Sequence, residues 1–65
     1  MTAAIVRPNG DHIDCYTEEG NFMCSLNAGD TITSVYISGD KIIANRADGR
    51  TDVFDRESLN YSYTI

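Results

Sequence analysis

The chain contains no tryptophan, one proline, one histidine and two cysteines. Each scarcity removes a class of function. With a lone histidine and no CxxC pair, a structural or catalytic metal has no ligand set to draw on, and no cofactor is expected. Neither a phosphate-binding glycine loop, a dinucleotide fingerprint nor a GxSxG elbow occurs. Asp14, Asp48, Asp52 and Asp55 lack the dense, ordered oxygen spacing of a calcium loop. His12 is lone and is expected on the outer face beside Arg7 across the first hairpin, a solvated surface histidine rather than a catalytic base. The expectation is that the protein is not an enzyme.

Cations are also scarce. Five Lys and Arg stand against ten Asp and Glu, a formal charge of −5. Nucleic-acid affinity rests on clustered cations, so a phosphate backbone is not the expected partner. No apolar run approaches the roughly 20 residues a membrane helix needs, and no charged stretch followed by an apolar one opens the chain. The cytosol is the expected location, with no membrane contact.

What is abundant is turn chemistry. Gly10, Gly20, Gly29, Gly39 and Gly49 recur at intervals of nine or ten residues, one strand plus one turn. The spacing predicts strands near 3–7, 12–17, 22–26, 31–37, 42–46, 51–55 and 59–64. The 65 residues suffice for one small domain, 1–65. Such a chain buries only about 60% of its unfolded surface. An open sheet hides too little, so the expected fold is an all-β antiparallel meander of about seven strands, curled into a barrel or sandwich.

Two-residue loops predict the pairing. Asn9-Gly10 sets Val6 against Ile13. Glu19-Gly20 sets Cys15 against Cys24 and Thr17 against Phe22. A four-residue loop, Asn27 to Asp30, sets Cys24 against Thr33. Gly39-Asp40 sets Val35 against Ala44 and Ile37 against Ile42. Asp48-Gly49 sets Ala44 against Val53, and a loop over Arg56 to Ser58 sets Val53 against Tyr61. Alternation then predicts one inner face of Val6, Ile13, Cys15, Phe22, Cys24, Leu26, Val35, Ile37, Ile42, Ala44, Val53, Tyr61, Tyr63 and Ile65. Cys15 and Cys24, facing each other, are either a reduced core pair or a short-loop disulfide.

HIDCYT (12–17) resembles RTDVFD (50–55), and FMCSL (22–26) resembles YSYTI (61–65), about 38 residues on. The stretch KIIANRADGRTDVFDRESLNYSYTI resembles one blade of a quinoprotein-type β-propeller, without the tryptophan or the Asp…Thr-Gly ending usual there. The resemblance implies a shared meander pattern over roughly that third of the chain.

The outer face carries the functional expectation. A solvated sheet face should be polar. Tyr36, Ile43 and Phe54 nevertheless point outward side by side in this register, with Tyr16 and Met23 as a second outward pair and Ile5 and Ile32 on the same side. A joined apolar row marks an interface, or else a second small core. These five residues, Tyr36, Ile43, Phe54, Tyr16 and Met23, are the candidate binding site. The partner expected is a protein, and most simply a second copy of the chain. The alternatives are a carbohydrate-type ligand stacking on exposed tyrosines, or an acidic mimic that occupies another protein's binding site.

Overall fold

A computed structural model describes residues 2–65. Seven antiparallel strands form two sheets. The first holds β1 (Ile5–Asn9), β2 (His12–Tyr16) and β3 (Phe22–Asn27). The second holds β4 (Ile32–Ser38), β5 (Lys41–Arg46), β6 (Thr51–Asp55) and β7 (Tyr61–Thr64). Neighbours in sequence are neighbours in each sheet. The sheets face each other as an open sandwich, not a closed barrel.

Turn residues explain the registers. Gly10 and Gly39 lead two-residue loops with φ +64° and +62°, a backbone that suits glycine at the first loop position. The second of these loops gives the expected pairs Val35–Ala44, Tyr36–Ile43 and Ile37–Ile42. The first is Gly10-Asp11, one residue later than expected, so Val6 lies opposite Cys15 and Pro8 opposite Ile13. That shift moves the pairing by two and leaves every side chain on its expected face.

The β5–β6 connection is a correction with larger consequences. Asp48-Gly49 is not a two-residue loop. Gly49 N–H donates to Arg46 O at 3.2 Å and Arg46 N–H to Arg50 O at 2.8 Å, which encloses Ala47, Asp48 and Gly49. Gly49 takes φ +89° as the left-handed third residue of a turn-plus-bulge loop. The extra residue slips the register by one. Ile43 lies opposite Val53, Ala44 opposite Asp52, and Ile42 opposite Phe54. A one-residue slip exchanges the two faces of a strand.

The 18–20 loop has the same three-residue form, closed by Thr17 N–H to Asn21 O at 2.8 Å. Here Tyr16, not Thr17, pairs with Phe22, and a bulge at Met23 restores Cys15 opposite Cys24. The last connection is longer than expected. Asp55 N–H donates to Asn60 O at 2.9 Å, Leu59 stands at φ +63°, and Val53 meets Tyr63 rather than Tyr61.

No hairpin joins β3 to β4, which corrects the expected Cys24–Thr33 pair. Ala28 N–H donates to Asp11 O and Ile32 N–H to Gly10 O, both at 2.8 Å, drawing the linker across the first hairpin's turn and into the second sheet.

One core results. Ala3, Ile13, Cys15, Ile32, Ile42, Ala44 and Phe54 are buried together, with Val6, Met23, Cys24, Leu26, Ala28, Val35, Ile37 and Leu59 packed against them. Phe22, Tyr61, Tyr63 and Ile65, expected inside, are exposed, and Ile32, expected outside, is buried. The internal repeat is also shorter than the 38-residue interval. Gly10 and Gly39, Asp11 and Asp40, Ile13 and Ile42, Cys15 and Ala44, Gly20 and Gly49 each stand 29 apart (39 − 10). β2 therefore corresponds to β5, and Ile13 and Ile42 are both fully buried.

Candidate functional site

The outer face of the second sheet is built of three rows across the strands. The central row follows from the pairs Tyr36–Ile43, Ile43–Val53 and Val53–Tyr63. It is therefore Tyr36, Ile43, Val53 and Tyr63, one residue from each of four strands. The tyrosines at its ends are each 50% exposed, Ile43 is half-buried, and Val53 is fully buried beneath its neighbours. Val53 and Ile43 do not belong to the core between the sheets.

The rows on either side are mainly polar, although Ile65, which exchanges backbone hydrogen bonds with Thr51, ends one of them and is exposed. On one, Asn45 Nδ2 donates to Ser34 Oγ at 2.9 Å and Thr51 Oγ1 donates to Asn45 Oδ1 at 2.9 Å. On the other, Lys41 Nζ lies 3.7 Å from Asp55 Oδ2. Asp55 Oδ1 also accepts the N–H groups of Ser58 and Glu57, which with the Lys41 charge hold its carboxyl below the usual range.

The expected site residues divide. Tyr36 and Ile43 are adjacent on this face. Phe54 is not: it is 2% exposed in the core, its ring edge-on to Tyr61 with centroids 5.8 Å apart. The slip that turned Phe54 inward turned Val53 outward. Tyr16 stacks edge-on against Phe22 at 5.8 Å, while the bulged Met23 turns toward the core, so the expected Tyr16–Met23 pair is replaced by a Tyr16–Phe22 pair. Val53 and Tyr63 are the residues of this row that the sequence-based register placed on the inner face. The one available signal was that TDVFD does not alternate: Val53 and Phe54 are adjacent, so either register leaves one of them outside.

On the inner side of the same strands lies a second polar centre. Asp52 is 2% exposed and accepts three hydrogen bonds. Its Oδ1 accepts from Arg46 Nη1 at 3.1 Å and Thr64 Oγ1 at 2.7 Å, and its Oδ2 accepts from Gly29 N–H at 3.0 Å. Thr64 spends its only proton on Asp52, so Tyr61 OH must donate to Thr64 Oγ1, at 2.5 Å. Burial pushes the Asp52 carboxyl up, but the bonds from Thr64, Gly29 and Arg46 outweigh it and hold the carboxyl below its usual value. Arg46 also reaches Asp48 at 2.6 Å. A Cβ on Gly29 would stand 2.6 Å from Arg46 Nη1, so a larger residue here would push the guanidinium away from its place against the linker. This centre ties the linker, β5, β6 and β7 together.

Cys15 and Cys24 are free thiols on facing positions. Burial, with Cys24 and Asp14 nearby, pushes the Cys15 thiol up to about 12, which leaves it protonated and a poor nucleophile at neutral pH. His12 Nε2 lies 3.5 Å from Asp11 Oδ1. Among the described residues there is no pocket and no group of three or more His, Cys, Asp or Glu placed to hold a metal ion. No helix is long and apolar enough to cross a membrane.

No family model matches this chain, and no curated protein or solved structure is significantly similar to it. Any functional reading therefore rests on the face itself.

Proposed function

We propose that the protein is a non-enzymatic binding or assembly module of the cytosol that meets a protein partner through the outer face of its second sheet. The observation that carries this reading is the continuous row Tyr36–Ile43–Val53–Tyr63 at the centre of that face. An apolar centre rimmed mainly by satisfied polar groups has the anatomy of a protein interface. Half-exposed tyrosines at both ends supply large, rigid contact area, and tyrosine is over-represented among residues that dominate binding energy.

A photo-crosslinking residue tests the reading. Benzoylphenylalanine in place of Tyr63, in the living source, should give protein adducts of discrete mass on irradiation. The same residue in place of Ser25, on the outer face of the first sheet, should give none. Equal adducts from both positions, or none from Tyr63, contradict the reading.

A further inference from the structure

The partner follows from how the face is patterned and from how the strand edges are closed. Every edge strand of the two sheets carries a feature that spoils pairing with another chain. β1 contains Pro8. The registers leave Met23 of β3, Thr33 of β4 and Ser62 of β7 as extra, bulged residues. Prolines and bulges of this kind block strand addition. Association must then use a face.

The row reads almost the same from either end: tyrosine, isoleucine, valine, tyrosine. We propose that the partner is a second copy of this chain, stacked face to face about a two-fold axis that runs parallel to the strands between β5 and β6. This rests on the protein-contact reading above and names its partner. The axis lays Tyr36 of one copy over Tyr63 of the other and the half-buried Ile43 over β6 at Val53, whose own side chain is already covered within its chain. It also lays Lys41 over Asp55 of the second copy, twice, and Asn45 over Thr51 of the second copy. The alternative two-fold, along the row, lays Lys41 over Asn45 and Asp55 over Thr51, so the Lys41–Asp55 pair within each chain gains no opposite charge from the second copy. Charge complementarity therefore selects the first axis. Such a contact is isologous and closes at two copies.

Its size fits a small reversible dimer. Four strands about 4.8 Å apart and six residues at about 3.3 Å each span a face of roughly 20 × 20 Å. Counted over both copies, that is about 800 Å², below the roughly 1,000 Å² of stable specific interfaces and in the range of a weak, transient contact.

Tyr36 and Tyr63 lie three strand spacings apart, about 14 Å, so within one chain they do not touch. Coupling between them can arise only across copies. Tyr36→Glu alone and Tyr63→Lys alone should each weaken self-association roughly tenfold or more, since each buries an unpaired charge. An equal mixture of the two variants should associate one to one, more tightly than either variant with itself, because Glu on one copy then meets Lys on the other. Native mass spectrometry distinguishes the mixed dimer from the two self-pairs. The reversed pair, Tyr36→Lys with Tyr63→Glu, should behave the same way and serves if one variant folds poorly. A parent chain that stays single at every concentration overturns the proposal, as does a mixture no tighter than its components. Crosslinks from position 63 to a different protein alone would also overturn it, while leaving the face as a binding surface.

Discussion

The two sheets share their inner pattern and differ in their outer one. Inside, residues 29 apart match in burial: Ile13 with Ile42 and Cys15 with Ala44 are all fully buried. Outside, the row of the first sheet that corresponds to Tyr36, Ile43 and Val53 is Arg7, Asp14 and Ser25. Asp14 sits at its centre and accepts from Ser25 Oγ at 3.0 Å and Asn9 Nδ2 at 3.3 Å. A solvated sheet face looks like the first sheet's. The same backbone framework therefore does not require an apolar residue at the centre of the outer face. The apolar residues of the first sheet's outer side, Ile5, Tyr16 and Phe22, are displaced to one end of it.

The largest expected effect breaks or upholds the slipped register on which this contrast depends. Phe54→Ala removes a core ring and should cost about 3–5 kcal/mol in chemical denaturation. Phe22→Ala, at a ring 61% exposed, should change stability by no more than about 0.5 kcal/mol. Equal costs would return Phe54 to the surface and dissolve the row.

Next in size is the polar centre that the second sheet has and the first lacks, since Asp52 stands where the first sheet has Cys24. Asp52→Ala leaves the Arg46 guanidinium, Gly29 N–H and Thr64 without their acceptor, and should cost about 3 kcal/mol. The pH dependence has a definite sign. A carboxyl held below its ordinary 3.8 when folded adds stability that is present above that value and is lost as pH falls through the folded value. Acid unfolding of the parent should therefore be steeper with pH than that of Asp52→Asn. Matching slopes would mean that Asp52 is not bonded as described.

How far the sequence foretold this follows from the turns. Gly39-Asp40 is a two-residue loop in sequence and in space, so Val35–Ala44 and Ile37–Ile42 were readable, and with them Tyr36 beside Ile43. Asp48-Gly49 reads the same way but is the end of a three-residue loop, and the non-alternating TDVFD could not arbitrate. The sheet change at Asn27 to Asp30 was hidden because a loop of that length also suits a hairpin. Nothing local reveals that Gly29 must lie against Arg46, 17 positions on (46 − 29). Half of the row was therefore legible, and the other half depended on one residue of loop length.

Smaller effects sharpen the equivalence of the sheets. Cys15→Ala copies Ala44 into the first sheet and should cost only about 1 kcal/mol, because the volume lost is small. A cost several times larger would show that the two inner faces are not packed alike. Smallest of all is Asp14→Ile, which copies Ile43 onto the first sheet's exposed face. Monomer stability should move by about 0.5 kcal/mol, while concentration-dependent association increases as a second apolar centre is created. Unchanged association in sedimentation would mean that an apolar centre alone does not make a contact face.

The contrast between the two outer faces is tested most directly by a dilution series followed by amide chemical shifts. On concentration, the largest shifts should fall on Tyr36, Ile43, Val53 and Tyr63, with Lys41 and Asp55 following, while Arg7, Asp14 and Ser25 stay fixed. Shifts centred on Arg7, Asp14 and Ser25, or no shift at any residue, would contradict the account.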